Sequence, residues 1–298
     1  MIAELAVDLT MRRAIEAIVG VLRAGLDVEA CPGRSNVAVP SGELLLMPAA
    51  ADGYAGVKIA GVAPANPALG LPRITGSYLL LDGGTLLPLA LLDGAALTAL
   101  RTPAVTAVAV DRLAAADAEH LVLFGAGPQA YGHLDALSAV RPLGRVTVVA
   151  RRAEPAAELV RHARARGFAA AVGEPDAVAG ADLVVCCTTA TAPLFDGALV
   201  PEHAVVAAVG SHSPRAREVD GALVARAACY VEARAAARLE AGDLLLADGV
   251  AGSEEWANLA ELVNGTAAVP MDRPRFFKSV GMAWQDLAVA AELHRRRC

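Results

Sequence analysis

The sequence predicts an α/β protein in which a doubly wound parallel sheet is joined to an α+β domain. From about residue 104 to residue 260, short apolar runs alternate with Ala-rich amphipathic stretches, the pattern of parallel strands that cross over through helices. Before residue 104, one helical stretch precedes strand-like pieces that Gly, Pro and Asp-Gly turns separate. The two halves therefore differ in architecture.

The elements follow in chain order. Residues 9–24 have helical spacing, and we expect strands within 37–49, 56–62 and 78–91. The apolar runs of the central segment are 120–124, 145–150, 182–187, 204–209 and 229–231, with helices that include 129–140 and 155–165. Their continuous apolarity indicates strands buried on both faces. We expect 276–295 to be helical and to return to the first domain, so the boundaries are 1–103 with 265–298, and 104–264.

Composition excludes several classes of function. The 298 residues are 55% hydrophobic and 19% charged, with a mean hydropathy of +0.46, which indicates a folded chain. The net charge of −6 provides no basic field for a nucleic acid or an anionic membrane, so we expect neither partner. Charge, Pro or Gly interrupts every apolar run before it reaches membrane-spanning length, and the first residues lack a secretory pattern. We expect a cytoplasmic protein.

The cysteines suggest neither a disulfide framework nor a metal site. Their number is odd and no CxxC pair occurs, so we expect no bound metal. The five are Cys31, Cys186, Cys187, Cys229 and Cys298. The adjacent Cys186 and Cys187 lie in an apolar run and are interpreted as buried hydrophobic residues.

A glycine-rich turn predicts dinucleotide binding. The sequence GAGPQA (125–130) follows a predicted strand and precedes a predicted helix. Gly125 permits the tight turn, Gly127 lets a pyrophosphate approach the backbone, and the small Ala130 lets helix and strand pack closely. The N-terminus of the helix then offers free N–H groups to the phosphates. A purely structural turn is the alternative.

The end of the next strand favours NADP(H) over NAD(H), which stays possible. NAD-binding domains place a carboxylate there for the ribose 2′-hydroxyl, but this chain has Arg151 and Arg152 and no carboxylate before Glu154. Guanidinium groups suit a 2′-phosphate. The alternative is that both arginines are solvated loop residues.

Three cations of the first domain lie in segments with little other charge. They are Arg34, Lys58 and Arg101. Because Lys and Arg are seldom buried without a partner, each requires an anion. A structural ion pair with Asp52, Asp82 or Asp93 and a site for a substrate carboxylate explain them equally well.

The chain resembles the ornithine cyclodeaminase/μ-crystallin family over nearly its whole length. The motifs that carry the resemblance are PGR (32–34), AGVK (55–58), PAN (64–66), LTALRT (97–102), GAGPQA (125–130), VGSHSPRAREVD (209–220) and FKSVGMA (277–283). The resemblance implies a homodimer. It implies a central Rossmann-type domain for the dinucleotide, and an N-terminal α+β domain, joined by the C-terminal helix, for substrate binding and dimerisation.

The resemblance also implies roles for individual residues. Arg34, Lys58 and Arg101 correspond to the family's basic residues around the substrate carboxylate, with Arg101 also close to the cofactor, and Lys58 becomes a candidate catalytic residue. A guanidinium binds a carboxylate through two parallel N–H bonds and so fixes the α-carbon. The implied cofactor-binding residues are Arg101, Thr102, Gly125, Ala126, Gly127, Pro128, Gln129, Arg151, Arg152, Thr188, Val209 and Ser279, with Arg73 a weaker candidate near the nicotinamide.

One position departs from the cyclodeaminases. The resemblance implies that cyclodeaminases have the pattern Gly-Gly-Asp-x-Pro in this loop, and that its Asp handles protons on the substrate amino groups. At the position of that Asp, this chain has His212. A histidine near its ordinary pKa serves as a general acid or base at neutral pH, or as a donor that orients substrate. A solvent-exposed loop histidine is the alternative. His133 and His203 are interpreted as structural or solvated.

Three functions compete. The first is an NAD(P)H-dependent reductase of cyclic ketimine carboxylates or related imino acids, an amino-acid dehydrogenase type of reaction at the α-carbon. The second is a cyclodeaminase, a lyase that forms proline and ammonia and returns its cofactor unchanged. The third is a μ-crystallin-like protein that binds NADPH and a small carboxylate without significant turnover. Net consumption of NADPH separates the three.

Overall fold

The computed structural model describes residues 3–247 and 256–297. The chain divides into two compact units, Met1–Thr102 with Met282–Cys298, and Pro103–Gly281. Cys298 lies outside the described residues, and Cys31, Cys186, Cys187 and Cys229 are free thiols.

The first unit is built on a six-stranded sheet in the order β1-β6-β5-β4-β3-β2. Its elements, with a helix that continues into the second unit, are β1 (Ala3–Leu5), α1 (Met11–Arg23), β2 (Ser35–Val39), β3 (Gly42–Ala51), β4 (Tyr54–Val62), β5 (Ile74–Asp82), β6 (Pro88–Asp93) and α2 (Gly94–Leu113). Neighbouring strands are antiparallel except β1 and β6, which are parallel. This is the predicted α+β architecture.

Two predicted strands of the first unit are hairpins instead. Residues 37–49 contain β2 and β3, which a turn at Pro40 and Ser41 separates. Residues 78–91 contain the end of β5 and the start of β6. The Asp82 carboxylate closes that turn by accepting hydrogen bonds from the backbone N–H of Gly84 and Thr85 at 3.1 and 2.8 Å.

The second unit contains the parallel sheet, in the order β13-β12-β14-β11-β10-β7-β8-β9. Its elements after α2 are β7 (His120–Phe124), α3 (Pro128–Ser138), β8 (Arg145–Val149), α4 (Ala153–Ala165), β9 (Ala169–Val172), β10 (Leu183–Cys186), β11 (Val205–Ala208), α5 (Gly221–Arg226), β12 (Ala228–Val231), α6 (Arg234–Glu240), α7 (Gly242–Leu245), β13 (Ala257–Asn258), α8 (Leu259–Val263) and β14 (Arg275–Lys278). Every described pair of neighbouring strands is parallel. The predicted doubly wound sheet is confirmed.

The prediction for residues 265–298 needs a correction. Residues 276–278 are not helical, because they belong to β14, which pairs with β11 and β12 inside the parallel sheet. Residues 265–281 therefore belong to the second unit rather than to the first domain. The last helix, α9 (Ala283–Arg295), packs on β3, β4 and α1 of the first unit.

The first unit's sheet has two unlike faces. On β4, Gly56, Lys58, Ala60 and Val62 are buried, whereas Ile59 between them is 45% exposed. This period of two places Lys58 on the covered face of the sheet. Among the described residues, no helix is long and apolar enough to cross a membrane.

Candidate active site

Lys58 lies in the interior of the first unit with one carboxylate as its partner. Its side chain is almost fully buried, and Nζ donates hydrogen bonds to both carboxylate oxygens of Asp286, each at 2.9 Å. A third bond, at 3.0 Å, goes to the hydroxyl oxygen of Thr98 on α2. The buried cation thus has the ion-pair partner that its burial requires.

That partner is none of the three carboxylates considered from the sequence. Asp52 pairs with Arg295 at 2.5 Å, and the Asp82 carboxylate closes the turn between β5 and β6. Asp93 caps α2 by accepting from the backbone N–H of residues 95 and 96 at 2.8 and 3.0 Å. Asp286 comes from the first turn of α9, which lies 228 residues after Lys58 in the chain.

Arg101 contacts the same turn of α9. Its Nη1 donates to the side-chain oxygen of Gln285 at 2.6 Å, and its Nε lies 3.4 Å from the Asp286 carboxylate. The guanidinium is nearly as buried as the Lys58 ammonium. One helical turn therefore holds two of the three predicted cations, which β4 and α2 supply.

The electrostatics of this cluster favour an added anion. Burial lowers the pKa of Lys58 to about 8; Asp286 opposes that shift, and the charges of Arg101 and Arg34 reinforce it. Arg34 is half-buried in the segment before β2. Lys58 and Arg101 bring two positive charges to the carboxylate of Asp286, and the charge of Arg34 also acts on Lys58, so the structure brings the three predicted cations into one basic set.

Two further candidates of the first unit have less specific surroundings. Thr102 is buried on α2, directly after Arg101. Arg73 is exposed immediately before β5, where its carbonyl accepts a hydrogen bond from the N–H of Ala63 at 2.9 Å.

In the second unit, the glycine-rich turn has the geometry of a phosphate site. Gly125 has φ +106°, and a Cβ on it would lie 2.8 Å from the carbonyl oxygen of Cys187. Gly127 is exposed, and no described atom lies within 4 Å of where its Cβ would be. It precedes α3 without a side-chain cap, so the first N–H groups of an 11-residue helix face this open space.

The turn also lies where the strand order reverses. Strands β8 and β9 extend the sheet to one side of β7, and β10 and β11 extend it to the other. In doubly wound sheets the ligand lies outside the carboxyl ends of the strands at such a point. Ala126, Pro128 and Gln129 follow β7 there, and the residues present fit the pyrophosphate of a dinucleotide.

The ends of β10 and β11 are held by a buried carboxylate. Glu218 accepts from the N–H and hydroxyl of Thr188 at 2.8 and 2.7 Å, and from the N–H of Gly210 at 2.7 Å. Burial raises the pKa of Glu218, whereas the charge of Lys278 and these hydrogen bonds lower it. Val209 is half-buried beside Gly210, so Glu218 fixes two of the strand ends that carry cofactor candidates.

The remaining cofactor candidates differ in exposure. Ser279 is buried, and its hydroxyl donates to Glu232 at 2.7 Å. Arg151 and Arg152 are exposed directly after β8, and within the described residues neither forms an ion pair. Their charges are therefore available to an anionic group at that strand end.

His212 is exposed in the loop after β11. The backbone beside it is fixed, because the carbonyl of Ser211 accepts from Lys278 Nζ at 2.8 Å and the Ser211 hydroxyl donates to the carbonyl of Ala216 at 3.0 Å. The loop is thus anchored by buried groups while the imidazole is exposed.

His133 and His203 have the structural surroundings that the sequence suggested. His133 is fully buried; its Nδ1–H donates to the carbonyl of Gln129 at 2.7 Å, and Nε2 accepts from Thr106 at 3.0 Å. Burial lowers the pKa of His133 to about 4. His203 is mostly exposed and lies 3.1 Å from Asp182.

The sequence analysis missed the carboxylates and amides that organise both units. Asp286, Gln285, Glu218, Asp243 and Glu232 all bind functional candidates or the loops beside them. One signal was available for Asp286, because it is a carboxylate inside the apolar stretch AWQDLAVAA, where a buried charge needs a cation. Across the described residues, no group of three or more His, Cys, Asp or Glu side chains could hold a metal ion.

Comparisons with known proteins agree with one another. The model of the ornithine cyclodeaminase/mu-crystallin family matches residues 2–297. Delta(1)-pyrroline-2-carboxylate reductase 1 of Burkholderia multivorans is 37% identical over 259 residues, which cover 86% of this chain and 82% of that protein.

Two solved structures have the same fold over almost their whole length. The Thermococcus litoralis Delta(1)-pyrroline-2-carboxylate reductase, in complex with NADH and L-proline, matches with a TM-score of 0.92 and 28% identity, over 99% of this chain and 97% of that one. An archaeal alanine dehydrogenase dimer with bound NAD also matches with a TM-score of 0.92 and 28% identity, over 98% and 95% of the two chains.

Proposed function

Because the chain belongs to the ornithine cyclodeaminase/mu-crystallin family, we propose that it is an NAD(P)H-dependent reductase of cyclic ketimine carboxylates. The substrates are compounds such as pyrroline-2-carboxylate or piperideine-2-carboxylate, reduced at the α-carbon to the cyclic amino acid. The observation that carries the proposal is the basic set of the first unit, in which Lys58 and Arg101 contact one carboxylate, Asp286, and the charge of Arg34 acts on Lys58.

The basic set binds the substrate carboxylate. Arg101 and Arg34 supply the planar donor pairs that match a carboxylate, and Lys58 supplies a compact charge. Asp286 and Gln285 fix Lys58 and Arg101 before substrate arrives, so little conformational entropy is lost on binding. This orientation places the α-carbon and its C=N bond in one position.

The glycine-rich turn and the strand ends of the second unit hold the dinucleotide. Gly125, Ala126, Gly127, Pro128 and Gln129 form the pyrophosphate site, with Thr188, Val209 and Ser279 at the neighbouring strand ends. When bound, a reduced nicotinamide supplies the hydride that the substrate α-carbon receives. Arg101 and Thr102 are the proposed contacts from α2.

NADP(H) is the preferred cofactor in this proposal, and NAD(H) is the alternative cofactor. Arg151 and Arg152 are exposed and form no ion pair with another described residue, which supports the preference, because a ribose 2′-phosphate neutralises them.

A proton must also reach the imine nitrogen, because a protonated imine accepts hydride far better than a neutral one. His212 is the proposed acid, and Lys58 the group that binds the carboxylate and relays a proton. General acid catalysis of this kind contributes about 10²- to 10⁴-fold. The departure of His212 from the cyclodeaminase pattern supports reduction over cyclodeamination.

The protein acts as a homodimer in this proposal, and its location in the cytoplasm stays a prediction. The exposed face of the first unit's sheet is apolar and includes Val37, Leu44, Ile59 and Leu91, each more than a third exposed. A second copy of the chain is the occupant that such a face fits. The archaeal alanine dehydrogenase that matches this chain is a dimer.

Net cofactor consumption tests the proposed function. With NADPH and pyrroline-2-carboxylate or piperideine-2-carboxylate, we expect the absorbance of reduced nicotinamide to fall in proportion to the proline or pipecolate formed. Proline and ammonia formed from ornithine with no net change in cofactor would replace the reductase by a cyclodeaminase. Tight NADPH binding with neither reaction would leave a binding protein.

A further inference from the structure

The chain uses lysine at two positions only. Lys58 and Lys278 are its two lysines, and the other members of the 26 Lys and Arg residues are arginines. Both lysines are buried, and each has an aspartate within 2.9 Å. Burial readily shifts the pKa of a lysine, whereas a guanidinium stays charged. The two lysines therefore differ chemically from the arginines at the chain's other Lys and Arg positions.

The contact between Lys58 and Asp286 is geometrically specific. Both carboxylate oxygens lie 2.9 Å from Nζ, and the Asp286 side chain is fully buried. Thr98 supplies a neutral acceptor at 3.0 Å. Since the hydroxyl of Thr98 donates to the carbonyl of Gly94 at 2.7 Å, its oxygen is oriented to accept from the ammonium.

Charged and titratable groups face Lys58 from each element around it. Arg101 on α2 and Arg34 before β2 carry positive charge, and Asp286 on α9 carries negative charge. Tyr78 lies opposite Lys58 on β5, and its buried hydroxyl has no hydrogen-bond partner among the described residues. Burial and Asp286 raise the pKa of Tyr78, so this side chain stays neutral.

The balance at Lys58 thus depends on one residue. Burial and two guanidinium groups favour the neutral amine, and Asp286 is the group that favours the ammonium. We propose that Asp286 is a positioning residue of the reductase, which holds the Lys58 side chain in place and keeps it an ammonium at neutral pH. The inference rests on the proposed function, because the ammonium is the form that binds the substrate carboxylate and has a proton to relay.

The presence of two lysines makes a direct measurement possible. In protein labelled with ¹³C at lysine Cε and ¹⁵N at Nζ, NMR gives one signal for each lysine, and Lys58→Arg assigns them. We expect the wild-type Lys58 signal to titrate with a midpoint near 8. In Asp286→Asn that midpoint should fall by more than about one pH unit. An unchanged Lys58 midpoint in Asp286→Asn would overturn the inference.

If Asp286→Asn does not fold, the NMR titration of Lys58 in the wild-type protein still tests the inference. Without the carboxylate of Asp286, burial and the two guanidinium groups would lower the pKa of Lys58 further. A wild-type midpoint below about 6.5 therefore contradicts the inference, whatever the variant does. Binding of NADPH to the variant reports whether the second unit is intact.

The pH profile separates positioning from a merely structural role. Wild-type kcat/KM for imine reduction should fall as pH rises through the Lys58 midpoint. In Asp286→Asn this fall should start at lower pH, so that the loss exceeds about fivefold at pH 8 and shrinks towards pH 6. Thr98→Val, which removes a neutral acceptor but no charge, should move this fall by less than Asp286→Asn does. An equal loss at every pH would assign Asp286 a structural role only.

The two proposals fail in different ways. If no imine is reduced under any condition, the proposed function is wrong, and the NMR titration still measures what Asp286 does to Lys58. If imines are reduced but Asp286→Asn changes neither the Lys58 midpoint nor the pH profile of kcat/KM, only this inference is wrong.

Discussion

The side chains of the first unit show how burial selects chemistry at the scale of single residues. An ammonium taken out of water at Lys58 is costly unless a carboxylate accompanies it, and Asp286 is that carboxylate. Arg101 reaches the same carboxylate, with its Nε 3.4 Å from Asp286. Two positive charges thus meet one carboxylate, and the surplus charge is what the proposed binding of a substrate carboxylate uses.

Replacing Lys58 tests this account in two ways. Lys58→Met keeps the apolar stem but removes the charge, and we expect kcat/KM to fall by at least about 10²-fold. Stability should fall by about 3 kcal/mol, the low end for breaking a buried pair, because Arg101 Nε stays 3.4 Å from Asp286. NADPH affinity should be unchanged, because the glycine-rich turn belongs to the second unit.

Steady-state kinetics, urea denaturation and NADPH titration check these three expectations. Equal losses of turnover and of NADPH affinity would mean that Lys58 is not a substrate-binding residue.

Arg151 tests the cofactor preference. Arg151→Asp removes a charge-assisted hydrogen bond to a 2′-phosphate, worth about 1.5–3 kcal/mol, and adds a repulsive carboxylate. The Kd for NADPH should therefore rise by at least about tenfold, with little change for NADH, as measured by quenching of protein fluorescence. Arg161→Asp, on the exposed side of α4, is the control and should alter neither Kd. An unchanged ratio of the two Kd values would leave no basis for the NADP preference.

Sequence reasoning located the basic residues of the first unit but not what organises them. Arg34, Lys58 and Arg101 were identifiable because charge is scarce around them. Their partners Asp286 and Gln285 come from a helix at the other end of the chain, and spacing cannot reveal a contact of such long range. The carboxylate was therefore sought among Asp52, Asp82 and Asp93, which are nearer in sequence.

At the scale of elements, the glycine-rich turn between β7 and α3 is the most constrained feature. Gly125 has φ +106°, and the carbonyl oxygen of Cys187 on the neighbouring strand end blocks any Cβ. The backbone at this turn is thus held against the end of β10. Its geometry depends on glycine rather than on a hydrogen bond from a side chain.

Gly125→Ala should abolish tight dinucleotide binding. The substitution combines an unfavourable φ with a contact of 2.8 Å, so the turn must move, at a cost of about 1–3 kcal/mol in stability. Gly167→Ala is the matched control: φ is +93°, but no described atom lies within 4 Å of the new Cβ. We expect the control to lose stability while NADPH affinity, measured by calorimetry, stays at the wild-type value. Wild-type affinity in Gly125→Ala would contradict the phosphate site.

The parallel sheet was more predictable than the antiparallel one. Continuous apolar runs gave the positions of β7, β8, β10, β11 and β12 to within a residue or two, because strands buried on both faces leave a strong local signal. The hairpins of the first unit leave a weaker signal, because a short turn divides two strands within a single predicted run. The sequence predicts a helix where the short strand β14 lies, because four apolar and basic residues, RFFK, suit either structure.

At the scale of the whole molecule, the exposed face of the first unit's sheet predicts self-association. Ile59 and Leu91 lie on that face, on strands separated by β5. The double variant Ile59→Lys, Leu91→Lys should convert the proposed dimer to a monomer, because it would bury two ammonium groups without partners. Analytical ultracentrifugation measures the mass. Leu239→Lys on α6, where the side chain is 70% exposed, should leave the dimer intact. A wild-type monomer, or a dimer that survives the double variant, would exclude this face as the interface.

The most direct test of the central claim follows the hydride itself. NADPH carrying deuterium at the transferable position of nicotinamide C4 is incubated with the protein and pyrroline-2-carboxylate, and the proline formed is analysed by mass spectrometry and NMR. The account predicts one deuterium, located at the α-carbon, and a rate that Lys58→Met lowers by at least about 10²-fold. Proline without deuterium, or no proline while NADPH is bound, would contradict it.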